Sequence, residues 1–489
     1  MRQRLTRRKA LLVYKPYRVY MEGWMREVVR AERRKRKIPL EVKLLNGNHY
    51  LYHSTTRWDK KEKKIKKVTQ YIGRITPDGV ARGSSKVRTI HEYGNAKLLM
   101  DMAGGITGPL ERSFYRRWKD ILACSIVKAI EPLPLKLIKS RWEKLYLSGE
   151  FDASLSPNTL SAMLREIGAD YAAQKRFFDK LMMKSRTLAF DLSQVFSHSE
   201  NLHYAEKGYN KDHSYLKQVN IMMFFSIDRQ LPVMLKPLHG SVRDIKALKS
   251  VVADLDVKGS VFVLDRGFAS DKLQELVTDR EISFILPLKR NFKSIIYGAR
   301  LGGCFVYLKR GIRWARYKTG HGFIYLFEDV KMKAEEETTF IQLVGEGKRR
   351  KSQYAAASRK FGKIAIASNL DMPGERIYNM LKDREDIEAA FDALKNDLEN
   401  DKTYLGDDDA LRGYFFVSFL SLYLHYCILR LIRRKGLTGK MSAREVLLEM
   451  SKVYQITVNG KKSLCEIPAK VEKLIKILGI DIYPKKLGS

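Results

Sequence analysis

Leu188-Ala189-Phe190-Asp191-Leu192 alternates with a period of two, which places Leu188, Phe190 and Leu192 on one face of a strand and Asp191 on the other. A carboxylate in the middle of a strand is costly unless something compensates it, and a metal ion is one such compensation. A simple hydrogen-bonded strand aspartate weighs about equally. Further along, the apolar run Val261-Phe262-Val263-Leu264 ends at Asp265, just before Arg266-Gly267. Asp265 thus falls at the carboxyl end of a central strand, where open α/β sheets place their ligands. Taken alone, it would be read first as a turn-forming Asp before Gly.

The surrounding sequence is strand-rich. Strands are expected over 188–195, 219–227 and 231–238, with Asp228-Arg229-Gln230 as the turn joining the last two. A helix follows, its apolar positions Ile245, Leu248, Val251, Val252 and Leu255 at helical spacing. The buried strand ending at Asp265, a helix over 271–278 and a strand over 282–288 complete the run. A three-strand meander, a helix, then a parallel strand is the order of the ribonuclease-H-like fold, a topology that by itself names no function. The fold class expected is therefore α/β, with a ribonuclease-H-like catalytic core.

Working outward, residues 1–95 read as a basic arm and β-hairpin region suited to gripping phosphates. Arg7-Arg8-Lys9 and the basic run 33–37 are interleaved with Trp24 and tyrosines. Two β-rich runs, 49–53 and 66–72, flank the lysine-rich stretch after Trp58, as in a hairpin with a basic tip; a solvated turn is an equal alternative. Residues 96–186 turn helical, Ser156-Pro157 opening an amphipathic segment that stops at Gly168. A helix-turn-helix there is weakly signalled, and an ordinary helical bundle is preferred. The core's first part spans 187–291. Residues 292–358 show little helical period and much β material, and are expected as a β-rich insertion. Core completion is expected over 359–435, with a strand near 361–368, and a helical carboxyl-terminal region over 436–489.

The chain has 489 residues, with 92 Lys and Arg against 55 Asp and Glu, a net charge of +37. That excess far exceeds what solubility asks and points to a polyanionic partner, without choosing among DNA, RNA and anionic membrane. The four cysteines, Cys124, Cys304, Cys427 and Cys465, stand far apart and form no Cys-x-x-Cys pair, so free thiols in a reducing cytoplasm are expected. The basic start at Met1 is followed by Lys15, Pro16 and Arg18, so no secretory leader is expected. Residues 413–429 carry no Asp, Glu, Lys or Arg and sit at the lower edge of membrane-spanning length. Their serines, His425 and tyrosines, with arginines on both sides, favour a buried core helix, and no membrane partner is expected.

A third carboxylate belongs to a helix expected over 384–398. Ile387, Phe391, Leu394 and Leu398 form its apolar stripe, and Arg384, Glu388 and Lys395 run along an adjoining one. A solvated charged face is the usual explanation of such a pattern. The combination with two strand aspartates tips the balance, because a strand pair and a packed helix can bring three carboxylates together around two divalent ions.

Here the chain resembles the DDE transposases of bacterial and archaeal insertion sequences, in the branch whose glutamate helix carries a Tyr-x2-Arg-x3-Glu-x6-Lys signature. Arg384, Glu388 and Lys395 match three of its four positions, while the tyrosine position is Leu381, with Tyr378 one turn earlier. The resemblance extends to Phe190-Asp191, to the Leu-Asp-Arg-Gly-Phe stretch from Leu264 to Phe268, to 286–291, to 401–419 and to the hairpin near Trp58. It implies a polynucleotidyl transferase in which Asp191, Asp265 and Glu388 hold two Mg²⁺ or Mn²⁺ ions, and Arg384 and Lys395 hold DNA phosphates. It also implies cleavage at element ends, strand transfer into target DNA, partners in double-stranded DNA with terminal inverted repeats, a homodimer or larger homo-oligomer, and a cytoplasmic, nucleoid-associated location.

Other DNA-rearranging chemistries make demands the sequence does not meet. None of the nine histidines has Arg three residues later, as a tyrosine recombinase needs; there is no His-x-His pair and no Gly-x4-Gly-Lys-Ser/Thr loop. Two alternatives to the transposase remain: a ribonuclease-H-like nuclease without transposition, and a transposase-derived, non-catalytic DNA-binding protein.

Overall fold

The computed structural model describes residues 21–59, 64–81, 89–208, 216–242, 244–254, 257–268, 281–320, 322–400, 402–403, 405–458 and 461–483. The Arg7-Arg8-Lys9 arm, the hairpin tip at 60–63 and the helix expected at 271–278 lie outside the described residues. The chain divides into two units, one of residues 1–89 with 457–461, the other of the remainder.

In the first unit a helix, Gly23–Arg36, precedes a four-stranded antiparallel sheet of β1 (Leu40–Leu45), β2 (Asn48–Asp59), β3 (Lys64–Thr76) and β4 (Gly79–Ala81) in sequential order. Asn46-Gly47, both at positive φ, turn β1 into β2, as a two-residue hairpin requires. The helix buries Val29 against Leu40, Leu51 and Ile75. The expected hairpin is β2 paired with β3, longer on both arms than its β-rich runs suggested.

The second unit begins at Ile90, within β5 (Thr89–Glu92), and goes on to a set of helices that includes Trp118–Ile130, Pro157–Ala169 and Tyr171–Met182. The Ser156 hydroxyl caps the second of these by accepting from the Thr159 N–H, and Leu160, Met163, Leu164 and Ile167 form its buried face, as their spacing indicated.

One ten-stranded sheet organises the rest. Its strands are β6 (Thr187–Ser197), β7 (Gln218–Ser226), β8 (Leu231–His239), β9 (Val261–Val263), β10 (Ser283–Pro287), β11 (Gly303–Tyr307), β12 (Arg310–Thr319), β13 (Gly322–Asp329), β14 (Lys363–Ser368) and β15 (Lys402–Thr403). The order is β11-β12-β13-β14-β10-β9-β6-β7-β8, with β15 beside the end of β6. β6, β7 and β8 form the antiparallel meander, and β9 runs parallel to both β6 and β10. Asp228 fixes the meander's turn by accepting from the N–H groups of Arg186 and Thr187.

Alternation along the middle strands separates two hydrophobic clusters. Phe262, Phe284, Leu286, Ile324, Leu326 and Ala365 enter the larger one, while their neighbours Val263, Ile285, Tyr325, Phe327 and Ile366 enter the smaller. Period-two burial on both faces is what a covered central sheet demands.

The structure departs from the sequence expectations at three places. The β material of 292–358, expected as an inserted β-rich subdomain, joins the core sheet: β11, β12 and β13 continue it through β14. The same stretch contains a 16-residue helix, Val330–Gly345, capped by Asp329; it buries only Phe340 fully, so it shows little apolar period. The carboxyl-terminal region carries a hairpin, Tyr454–Val458 with Lys461–Leu464, between its helices Ala443–Met450 and Ala469–Leu478. The apolar run 413–429 lies within the helix Asp408–Arg434. By length and composition that helix could cross a membrane, yet 83% of its most apolar window is buried inside the protein. It packs against Pro157–Ala169, Trp118–Ile130 and β8. All four cysteines are free, Cys124 and Cys427 buried.

Candidate active site

Three elements converge on one arginine. Asp191 lies mid-β6, opposite Met223 of β7. Asp265 stands just beyond β9, ahead of the short turn Arg266–Phe268. Since β6 and β9 are parallel neighbours with Ala189 opposite Val263, mid-strand Asp191 comes level with Asp265 just past the carboxyl end of β9. Glu388 lies on the helix Glu385–Asp392, which packs on β6 and β7 through its buried residues Ile387, Ala390 and Phe391.

Arg384, at the N-terminal boundary of that helix, links all three. Its Nη1 donates to Glu388 Oε1 at 2.7 Å, its Nη2 donates to Asp191 Oδ2 at 3.3 Å, and Nη2 also lies 3.7 Å from Asp265 Oδ1. The arginine side chain is only 11% exposed, against 22% for Asp191, 49% for Asp265 and 59% for Glu388. The guanidinium therefore forms the floor of the site, and two carboxylates open toward solvent.

Burial pushes the Asp191 carboxyl up to about 6, with Asp265 and Glu388 adding to the rise, against the pull of Arg384 and of the Leu192 N–H at 2.9 Å. Three carboxylates facing one cation leave the site electron-rich. Arg384 is itself not fully satisfied, its Nε being buried without a hydrogen-bond partner among the described residues.

The expected stripe of Arg384, Glu388 and Lys395 on one continuous helix is modified. A helix Gly374–Lys382 ends before Arg384, the glutamate helix ends at Asp392, and a π-helical turn, Ala393–Asp397, comes next and carries Lys395, which is half-buried. The apolar stripe survives, with Ile387, Phe391, Leu394 and Leu398 all buried. A π-turn adds a residue per turn and re-aims the side chains beyond it, a feature common at functional sites. Leu381 packs against the smaller cluster, while Tyr378 lies inside that cluster, its phenol pushed up to about 12 by burial.

Sequence reasoning missed the residues that brace this helix. Arg433 of the long helix grips Asp386 with both Nη atoms, at 2.7 and 3.1 Å. Asn400, fully buried, donates to the Leu394 and Leu398 carbonyls and accepts from Ser418. An Asp beside the glutamate and an Asn just after the helix were the available signals, but neither shows its partner in the sequence.

Residues 184–424 match the family model of the transposase DDE domain. The chain carries a transposase DDE domain. Its function is that of a DNA transposase, and the family implies polynucleotidyl transfer with divalent metal ions. The matched segment contains the three carboxylates, Arg384 and Lys395. No curated protein matches the chain. Among solved structures, a piggyBac transposase synaptic complex with hairpin DNA is similar at a TM-score of 0.38 and 9% identity, over 73% of this chain and 78% of that one.

Against this background the donor set can be tested for a metal. Three carboxylates supply the hard oxygen ligands that Mg²⁺ and Mn²⁺ take. Among the described residues, however, no three His, Cys, Asp or Glu side chains already enclose a metal position. The carboxylates of the DDE domain instead converge on Arg384, and the chemistry of the set fits a divalent ion once that arginine yields.

Proposed function

We propose that the chain cuts DNA at the ends of its own element and joins those ends to target DNA, with Asp191, Asp265 and Glu388 as the metal-holding catalytic residues. The observation that carries this reading is the convergence of three carboxylates, from β6, the end of β9 and a packed helix, on one buried cation within the transposase domain. The β8-β7-β6-β9-β10 order, antiparallel then parallel, supports a ribonuclease-H-like core. Arg384, Glu388 and Lys395 support the branch with the Tyr-x2-Arg-x3-Glu-x6-Lys signature.

The chemistry that two Mg²⁺ or Mn²⁺ ions supply when bound is activation of a water, then of a 3′ hydroxyl, and stabilisation of the leaving oxygen. The chain's own residues do the rest. Asp191 sheds its proton and Arg384 releases the carboxylates, freeing a guanidinium beside the scissile bond to hold a DNA phosphate as a bidentate donor. Lys395, two turns beyond Glu388, holds a second phosphate as a point charge. The basic first unit grips double-stranded DNA carrying terminal inverted repeats, and two or more copies pair the ends on the nucleoid.

Iron-directed cleavage tests the metal assignment. Fe²⁺ with peroxide should cut the polypeptide near 191, 265 and 388, and excess Mg²⁺ should suppress the cuts. Cuts elsewhere, or none, would remove the assignment.

A further inference from the structure

The first unit has a sheet face that its helix does not cover. The helix Gly23–Arg36 packs on the side of Leu40, Leu51 and Ile75. Alternation along β1 and β2, and the pairing of β2 with β3, put Lys43, Tyr50, Tyr52, Trp58, Lys67 and Tyr71 on the opposite side. A bulge between Leu51 and Tyr52 sets Tyr52 directly opposite Tyr71, with Thr56 opposite Lys67 and Trp58 opposite Ile65 beyond them.

This face is aromatic and cationic together, although Glu41, opposite Tyr52, lies on it as well and pairs with Lys67 at 2.7 Å. Tyr71 meets Tyr52 edge-on at 5.5 Å and Tyr50 at 6.0 Å. The Lys43 ammonium stands 4.5 Å from the centre of the Tyr52 ring. Trp58 is 56% exposed and Tyr71 44%, in a unit where an ordinary sheet face would bury such rings. The described residues of 21–81 include thirteen Lys and Arg against six Asp and Glu, so a polyanion is the occupant that the charge favours. From the Tyr52–Tyr71 rung to the Trp58–Ile65 rung is six residues of β2, or about 20 Å of strand. That length takes several stacked bases.

We propose that this face is a stacking platform for single-stranded DNA. Flat aromatic rings spaced along a strand, flanked by cations, are the device that holds unpaired bases without reading their sequence. A duplex presents no base faces to such rings. The inference rests on the transposase reading for its biological occasion, an unpaired stretch next to a cleaved end, but its test does not.

The test uses the full chain carrying Asp265→Asn, in metal-free buffer, with fluorescein-labelled oligothymidine and a duplex of the same length as probes. Trp58→Ala with Tyr71→Ala should weaken oligothymidine binding at least tenfold, a loss equal to about 1.4 kcal/mol, the low end of one stacked base. Duplex binding should change far less, and Trp58→Phe with Tyr71→Phe should restore most of the loss. An oligothymidine affinity that ignores the Ala pair, or single-strand and duplex affinities falling in parallel, would overturn the platform. Failure of the wild-type chain to cleave any DNA would count against the transposase mechanism instead, and leaves these binding outcomes readable.

Discussion

Replacing Arg384 with Gln removes the guanidinium on which the three carboxylates converge, and the structure sets the size of the effect. Asp191, raised from an ordinary 3.8 to about 6, already costs roughly 3 kcal/mol to keep ionised at neutral pH. The sign comes from proton counts. Between pH 4 and 6 the native state holds a proton that the unfolded state has lost, so this group's contribution to stability is best below pH 4 and falls as pH rises through 6. Removing Arg384, which pulls in the opposite direction, moves Asp191 higher and carries the decline to higher pH. Breaking a buried pair costs about 3–5 kcal/mol. Asp265 and Glu388 are half open to solvent, so screening brings the cost below that range, to about 2–3 kcal/mol at pH 7.5 and less at pH 5. Urea unfolding at both pH values, with and without Mn²⁺, measures this. Arg384→Gln should lose stability mainly at pH 7.5 and recover more with Mn²⁺ than wild type does. Equal losses at both pH values, or no added response to metal, would refute the view that Arg384 stands as a counter-cation to the carboxylates.

Asp265→Asn should abolish cleavage while DNA binding in a gel-shift assay stays near wild type; loss of binding with normal folding would count against its role. Metal-dependent cleavage should rise as pH passes upward through 6, where Asp191 gives up its proton, and a profile flat from pH 5 to 7 would remove Asp191 from the site. Gly413→Ala should destabilise by about 1–3 kcal/mol, read as a lower urea midpoint, because a Cβ there collides with the Leu164 backbone where the helices Pro157–Ala169 and Asp408–Arg434 cross. Arg433→Ala should lower the cleavage rate more than DNA affinity, since it frees the glutamate helix rather than a DNA contact.

Much of the core was legible because its signals are local. Period-two alternation around Asp191 and the apolar run before Asp265 marked the strands within a residue or two, and apolar spacing at 3.6 marked the glutamate helix but not its end at Asp392. Signals failed where the physics is not local. The helix Val330–Gly345 hid because Phe340 is its one fully buried side chain, and the continuity of β11 to β13 with the core sheet hid because strand pairing across the chain leaves no mark on either strand. The π-turn that carries Lys395 depends on Asn400 and Ser418, and the braced Asp386 on Arg433, contacts between elements far apart in sequence. Arg384 was legible as a charge, but its place among all three carboxylates was not.

The most direct measurement is cleavage and strand transfer by purified protein, with Mg²⁺ or Mn²⁺, on DNA carrying the gene's own flanks, comparing wild type with Glu388→Gln. Metal-dependent nicking at defined ends and then joining, absent in the variant, is the expected result. Binding without cleavage would mark a non-catalytic DNA-binding descendant, cleavage without end specificity a nuclease, and either would contradict the transposase mechanism.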